Sequence, residues 1–302
     1  MSFIDANAIG ALSYEPTEPL PCLDRYLDLD MLCDESQKVL KGDEAIVDEL
    51  LALNGSSAGA RPKAMIQLHK NKKDIIYGQT ALTKEYEHWI VKFSASNDMQ
   101  ESAKVEYIYS LIAKECGIEI PDTTLLYTQK SSYFAIKRFD RVGDRRVHIH
   151  SLAGLIHSDF RFPTLDYDDL LTLTLHLTKD INELIKVFRL SCFNLFVHNR
   201  DDHAKNFSFL LDENYKWKAA PAYDITYSFG PGGEHSMMYL GEGKNPTKEH
   251  LQKLVQKHQI KDGDAIITEI AHEVKNFAKY AEQFRLSSDT KQQILNHIGK
   301  TI

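Results

Sequence analysis

The chain has 302 residues, 43% hydrophobic and 26% charged, with a formal net charge of −7. That length can bury one large core or two smaller ones, and the composition is that of an ordinary globular protein. The acidic balance excludes broad electrostatic attraction to nucleic acid or anionic membrane. Four scattered cysteines (Cys22, Cys33, Cys116, Cys192), never spaced CxxC, argue against a zinc ribbon or a disulfide framework and fit a reducing compartment. The opening MSFIDANAIGALSYEPTEPLP has neither the basic nor the apolar region of a signal peptide, and no apolar run approaches the ~20 residues that span a bilayer. A cytoplasmic protein is expected.

Residues 1–22 read as an irregular lead-in. LDRYLDLDMLCDESQKVL (23–40) and GDEAIVDELLALNGSS (42–57) carry Leu, Ile and Val at helical spacing, with Gly55 as a stop. Strands are expected at AMIQLHK (64–70) and EHWIVKF (87–93), with a polar turn at NKKD (71–74). DMQESAKVEYIYSLIAKECG then places Val105, Ile108, Ile112 and Cys116 on one helical face, and Gly117 falls where a left-handed cap is needed. TTLLYTQ and SYFAIKRFD read as strands flanking a QKS turn.

Beyond this point the pattern becomes helical. YDDLLTLTLHLT and DINELIKVFRLSCFNLFVH are helices, the second with Ile181, Leu184, Ile185, Phe188, Cys192 and Leu195 on its apolar face. FSFLLD and KWKAAPA read as short strands around a DENY turn, and 247–302 is mostly helical. The fold expected is α+β in two lobes: a small sheet-rich lobe, residues 1–140, and a larger helical lobe, residues 141–302.

The long helix delivers the chain to HNRDDHAKNFSF (198–209), where ionised carboxylates crowd together and are costly to desolvate unless paired or bound to metal. Asp201 precedes Asn206 in a D-x-x-x-x-N spacing, and Asp224 follows 18 residues later in APAYDIT. The set suits phosphoryl transfer: one carboxylate orients the attacking hydroxyl, while an amide oxygen and a second carboxylate hold Mg²⁺ on nucleotide phosphates. The plainer reading is a capped loop in which Asp and Asn satisfy backbone groups. A metal-hydrolase reading through His198 and His203 is weaker, because their spacing of five does not share a helical face and no HExxH glutamate follows. Asp201, not Asp202, has the spacing to Asn206 and is the expected catalytic base.

Nucleotide phosphates also call for a cation. Lys92 stands in WIVKF; alone it reads as a snorkelling lysine on an edge strand, but Glu106 on the following helix is a fit partner to hold it. NGSSAGARPK (54–63), with Ser56, Ser57 and Gly59, offers backbone N–H groups for phosphates, although small-residue loops are common.

Taken in order, AGARPK, WIVKF, VEYIYSLIAKECGIEIP, FAIKRFDR, NRDDHAKNFSF and PAYDI resemble the HipA-type Ser/Thr kinases of bacterial toxin–antitoxin systems, over about residues 50 to 245. The resemblance implies a kinase-like fold, ATP and Mg²⁺ as cofactors, Asp201 as base, Asn206 and Asp224 as Mg²⁺ ligands, and Lys92 on the ATP phosphates. It also implies a hinge at FAIKRFD, with Ile136, Lys137 and Phe139 at the adenine site, and autophosphorylation of Ser56 or Ser57. Lys137 departs from the acid that the best-known members carry, and ARPK departs from their AGAQEK. The lead-in matches the end of an N-terminal subdomain, so the resemblance is to the short, HipT-like form of a three-component HipBST system. The implied partners are an aminoacyl-tRNA synthetase as protein substrate, a small antitoxin resembling the missing subdomain, and a HipB-like helix-turn-helix protein through which DNA is bound indirectly; no membrane partner is implied. Two other readings stand beside this one. An aminoglycoside-kinase type of phosphotransferase would use DYDDL (166–170) as its acidic pocket; a regulatory pseudokinase would bind nucleotide without transfer.

Overall fold

A computed structural model describes residues 8–13, 29–40, 62–77, 82–94, 101–159 and 165–301. The expected helix at 42–57 and the loop bearing Ser56, Ser57 and Gly59 lie outside them. The chain divides into two compact units. One comprises residues up to Tyr107 with Pro121–His148, the other Ile108–Ile120 with Ile149 onward.

The first unit is built on helix α1 (Leu29–Leu40) and strands β1 (Lys63–His69), β2 (Ile75–Tyr77) and β3 (Tyr86–Lys92), followed by the start of helix α2 (Ser102–Glu115). Strands β4 (Thr123–Tyr127) and β5 (Ser132–Lys137) and a short ladder of β6 (Arg141–Val142) with β7 (Arg145–Arg146) complete it. The five longer strands form an antiparallel sheet in the order β2-β1-β3-β5-β4. β3 is therefore central, and the edge-strand reading of WIVKF does not hold. Three-residue β2 is too short to show alternation in the sequence.

Leu29, Leu32 and Cys33 of α1 share a core with Ala64, Ile66, Leu68, Trp89, Val91 and Phe93. Asp30 enters the same region because the Tyr133 hydroxyl, at 2.8 Å, and the Thr128 hydroxyl, at 2.7 Å, donate to its carboxylate.

After β5 the chain forms a buried ion cluster. Arg138 donates to both Asp140 oxygens, at 2.9 and 2.6 Å, and Arg141 donates to one of them at 2.7 Å. Gly10 N donates to the same carboxylate at 2.8 Å, while the Ala8 carbonyl accepts from both arginines, so the lead-in is stitched to this cluster. Burial opposes ionisation of Asp140, but the bonds and charges of Arg138 and Arg141 outweigh it and hold its pKa below the usual value. Asp140 and Arg141 are thus held in one cluster, and the segment Pro121–His148 belongs to the first compact unit.

The second unit takes β8 (His148–Ser151) from Ile149 onward, α3 (Leu152–Leu155), β9 (Leu165–Asp166), α4 (Tyr167–Thr178) and α5 (Ile181–Phe196). There follow β10 (Ser208–Leu211), β11 (Trp217–Ala219), β12 (Met237–Met238), α6 (Lys248–His258), α7 (Gly263–Glu273), α8 (Phe277–Gln283) and α9 (Ser288–Thr301). Asp166 caps α4 in a capping box with Asp169, and Asp180 caps α5 through Asn182 N. The buried face of α5 carries Leu184, Val187, Phe188, Cys192 and Leu195, whereas Ile181 stays exposed. Glu183, which the apolar pattern did not single out, is buried there and accepts Ala219 N at 2.8 Å, tying β11 to the helix.

Asp140→Ala is expected to destabilise the first unit by about 3–5 kcal/mol, because two buried guanidinium groups lose their counter-charge. Urea denaturation reads the loss, and faster amide exchange at Gly10 reads the release of the lead-in.

Candidate active site

In the first unit, Lys92 closes the central strand between Lys63 of β1 and Phe134 of β5. Its neighbours Val91 and Phe93 are buried, so the strand's apolar faces fix where the ammonium emerges. There Lys92 forms an ion pair with Glu106 of α2, both side chains nearly sealed at 10% and 5% exposure. The Phe134 ring lies 5.5 Å from the ammonium. A lysine so restrained presents its charge at a fixed point, as a phosphate-binding cation must.

In the expected hinge, Ile136 is buried and Phe139 half-buried. The backbone N–H groups of Lys137 and Arg138 donate to Asp122 O and His88 O, both at 2.8 Å. Lys137 pairs with Glu87 at 2.7 Å. Lys72 lies 3.6 Å from that carboxylate, whose burial opposes its charge, while Lys137 and Lys72 together bring its pKa below the usual value.

In the second unit, the adjacent acids Asp201 and Asp202 have opposite environments. Asp202 is sealed, and its carboxylate accepts from the Tyr167 hydroxyl at 2.8 Å, His235 Nδ1 at 2.9 Å, Ser236 N at 2.9 Å and Met237 N at 3.3 Å. Asn194 extends the network by donating to the Tyr167 oxygen at 2.9 Å. The Asp201 side chain is 54% exposed, with His203 Nε2 at 3.8 Å. Such an acid is accessible to a hydroxyl; Asp202, with every lone pair occupied, serves as the anchor that turns Asp201 outward.

The loop continues through a 3₁₀ turn at Ala204–Asn206. Asn206 Nδ2 donates to the Asp201 carbonyl at 2.8 Å, which sets the amide and leaves its oxygen as the available ligand atom. The Tyr223 hydroxyl meets the Lys205 carbonyl at 2.7 Å and the Ser208 hydroxyl at 2.5 Å. Tyr223 directly precedes Asp224 and Lys205 directly precedes Asn206, so this staple brings the two proposed metal ligands into one neighbourhood. Asp224 itself has φ +55°, a left-handed conformation that costs a non-glycine residue free energy and clusters at functional positions. An amide and a carboxylate oxygen fit Mg²⁺, which takes few protein ligands and keeps phosphate oxygens and waters. Among the described residues no group of three or more His, Cys, Asp or Glu side chains could hold a metal by itself.

Arg200, to which the motif spacing gives no role, clamps the segment after Asp224. Its guanidinium donates to the Gly233 carbonyl and, at 2.9 Å, to the Lys244 carbonyl. Gly230, at φ +71°, passes so close that a Cβ there would stand 2.7 Å from Arg200 Cβ and 2.0 Å from the Glu234 carbonyl oxygen. Glycine is required at that position.

His198, weighed in sequence as a metal ligand, is instead a buried ring stacked on Tyr227. Burial, then the charge of Arg200 and the neighbouring imidazoles of His297 and His235, push its pKa down to about 3.

The family model described as HipA-like C-terminal domain matches residues 55–281. Among curated proteins, "Putative kinase Y4dM" of Sinorhizobium fredii is 24% identical over 195 residues, covering 58% of this chain and 47% of that protein. A "Putative kinase" of Haemophilus influenzae is 26% identical over 138 residues, covering 41% of this chain and 40% of its own length. The chain therefore spans less than half the length of these relatives. Among solved structures, a chain of the "Shewanella oneidensis MR-1 Toxin Antitoxin System HipA, HipB and its operator DNA complex" superposes with a TM-score of 0.69 at 16% identity, over 99% of this chain and 76% of that chain. That likeness establishes the α+β, two-lobed kinase-like fold. No helix among the described residues is long and apolar enough to cross a membrane.

Two outcomes follow from the contrast of the two acids and from His198. Asp202→Ala is expected to cost about 3 kcal/mol or more, since buried donors lose their acceptor, while Asp201→Asn stays within about 0.5 kcal/mol. Equal losses in chemical denaturation would refute the assignment of anchor and exposed acid. His198 is depressed in the folded state relative to its ordinary 6.5, so its stabilisation is complete above pH 6.5. As pH falls from 6.5 toward 3 the unfolded chain gains a proton the folded one refuses, and stability drops by up to about 1.4 kcal/mol per pH unit. His198→Phe should flatten that part of the pH–stability curve.

Proposed function

The chain belongs to the HipA-like C-terminal domain family, and on that premise we propose that it is an ATP- and Mg²⁺-dependent protein serine/threonine kinase acting as the toxin of a toxin–antitoxin system. The observation that carries the reading is the loop 201–206, in which an exposed Asp201 is held by a buried Asp202 and by the Asn206 amide. Asp201 orients the acceptor hydroxyl and draws its proton. Asn206 and Asp224 would hold Mg²⁺, which when bound neutralises phosphate charge. Lys92, restrained by Glu106, directs its ammonium to the phosphates of ATP, and Ile136, Lys137 and Phe139 border the adenine.

The acceptor is proposed to be a protein, an aminoacyl-tRNA synthetase, whose phosphorylation stops translation, and Ser56 or Ser57 is proposed to be autophosphorylated. A HipB-like DNA-binding partner is proposed from the assembly named for the Shewanella structure; the net charge of −7 suits DNA contact through such a partner better than by this chain itself. The aminoglycoside-kinase reading is disfavoured by its own acidic segment. Asp166 and Asp169 cap α4, and Asp168 is paired with Lys257 and His258 at 2.6 and 2.9 Å, so DYDDL is committed to structure. The pseudokinase reading is disfavoured by the restrained Lys92–Glu106 pair and the accessible Asp201.

Incubation with labelled ATP, Mg²⁺ and a cell lysate tests the proposal: a labelled protein band is expected, and its absence overturns the reading. Asp201→Asn should lower transfer by about 10²–10⁴-fold with the fold and nucleotide binding retained. Asp224→Ala should weaken Mg·ATP binding as well. Mass spectrometry of the incubated protein decides autophosphorylation; phosphate on neither Ser56 nor Ser57 would sink it.

A further inference from the structure

The last helix reaches the loop bearing Asp201 through a stack of rings. We infer that His297 of α9 is a positioning residue for phosphoryl transfer, holding His198 and through it both the loop 199–206 and the segment 225–228.

His198 lies three residues before Asp201, and Tyr227 lies three residues after Asp224. The His198 ring stands 4.4 Å from that of His297 at 36° and 5.6 Å from that of Tyr227 at 27°. Phe229 closes the group edge-on, 5.5 Å from His297 and 5.3 Å from Tyr227. These four rings therefore bind three chain segments that are remote in sequence. The backbone agrees: Ser228 N donates to the His198 carbonyl at 3.1 Å, and Asn199 and Ser228 form an isolated parallel bridge. His198 has φ +57°, a conformation that persists only where its surroundings over-determine it.

His297 supplies the outer wall of that constraint. Its Nδ1 is 3.0 Å from the Tyr227 hydroxyl and 2.9 Å from the Gln293 carbonyl one turn earlier, so the ring is fixed on its own helix. Ile294 and Ile298 on the same side of α9 are buried, and the Thr301 hydroxyl donates to the Phe196 carbonyl at 3.2 Å, two residues ahead of His198. An apolar residue at 297 would fill the space. The imidazole adds a flat face for His198 and a bond to Tyr227, which together set the direction in which the two functional segments leave the cluster. His297 touches neither nucleotide nor acceptor in this account; it acts through His198 and Tyr227.

The kinetic part of this inference rests on the proposed transfer reaction, and the structural part rests on the ring cluster alone. The test compares wild type with His297→Ala, His297→Phe and Tyr227→Phe, using labelled ATP with cell lysate as acceptor, and amide hydrogen exchange. For His297→Ala, kcat is expected to fall about tenfold or more with KM for ATP within about twofold, the mark of misplaced reacting groups. Exchange should speed up at 199–206 and 225–228, and His297→Phe, which restores the ring but not the bond to Tyr227, should recover the protection of 199–206 and leave 225–228 fast. Wild-type kcat and wild-type exchange in a folded His297→Ala would overturn the inference. Should that variant not fold, Tyr227→Phe carries the test, since it removes one hydroxyl and no volume: unchanged exchange at 225–228 overturns the inference, and faster exchange supports it. A wild-type protein that transfers no phosphate overturns the kinase reading, and the exchange comparison still decides the role of His297.

Discussion

A carboxylate shut away from water is stable only if its charge is answered by donors, and Asp202 is answered by four. A phenol, an imidazole and two backbone amides converge on it from α4, from the segment beginning at His235 and from β12. Removing any one leaves a buried donor or acceptor unmet, so these elements are bound to one arrangement. The chain position of Asp202 thereby determines that of its neighbours on both sides. Asp201 must project away from the buried side, and Arg200 must project toward the carbonyls of Gly233 and Lys244. The polarity of the loop is decided by its buried acid.

The same logic operates in the first unit with charges of both signs. Asp140 is shared by Arg138 and Arg141, and the carbonyls of Ala8 and Gly10 take up the guanidinium hydrogens that the acid cannot. The cluster follows directly on β5, so the end of the sheet is bonded to the backbone of the lead-in at Ala8 and Gly10. Ile9 and Leu12 are left exposed by this arrangement, at 43% and 58%. Lys92 and Glu106 differ in kind. They pair at the end of a central strand, both side chains nearly sealed, so the lysine has a fixed direction.

Several polar residues that a motif would assign to chemistry belong to architecture. His198 is a ring in an aromatic stack, kept neutral by burial. DYDDL caps a helix and pairs with α6. Lys137 answers Glu87. The converse also occurs: Tyr223, which reads in sequence as one more aromatic in PAYDI, staples the loop of Asn206 to the segment of Asp224. In each case the deciding quantity is whether the polar atoms are occupied inside the fold, which no spacing rule contains.

The sequence by itself determined the element types and most of their extents, because helix and strand periodicities are local. The apolar faces of α2 and α5, the strands around WIVKF and FAIK and the turn at Asp212 are readable within a few residues. It also picked out Lys92 with Glu106, and Asp201 with Asn206 and Asp224, since those combinations suit phosphate and magnesium. The tertiary structure alone decided that β3 is central, that Arg138, Asp140 and Arg141 form one buried cluster, and that Asp202 is an anchor. It alone brought His198, Tyr227 and His297 together. Strand order, burial and the partners of a buried charge are set by contacts between residues tens to hundreds of positions apart. Chain spacing carries no record of such contacts, whereas the free energy of desolvating a charge depends on them entirely.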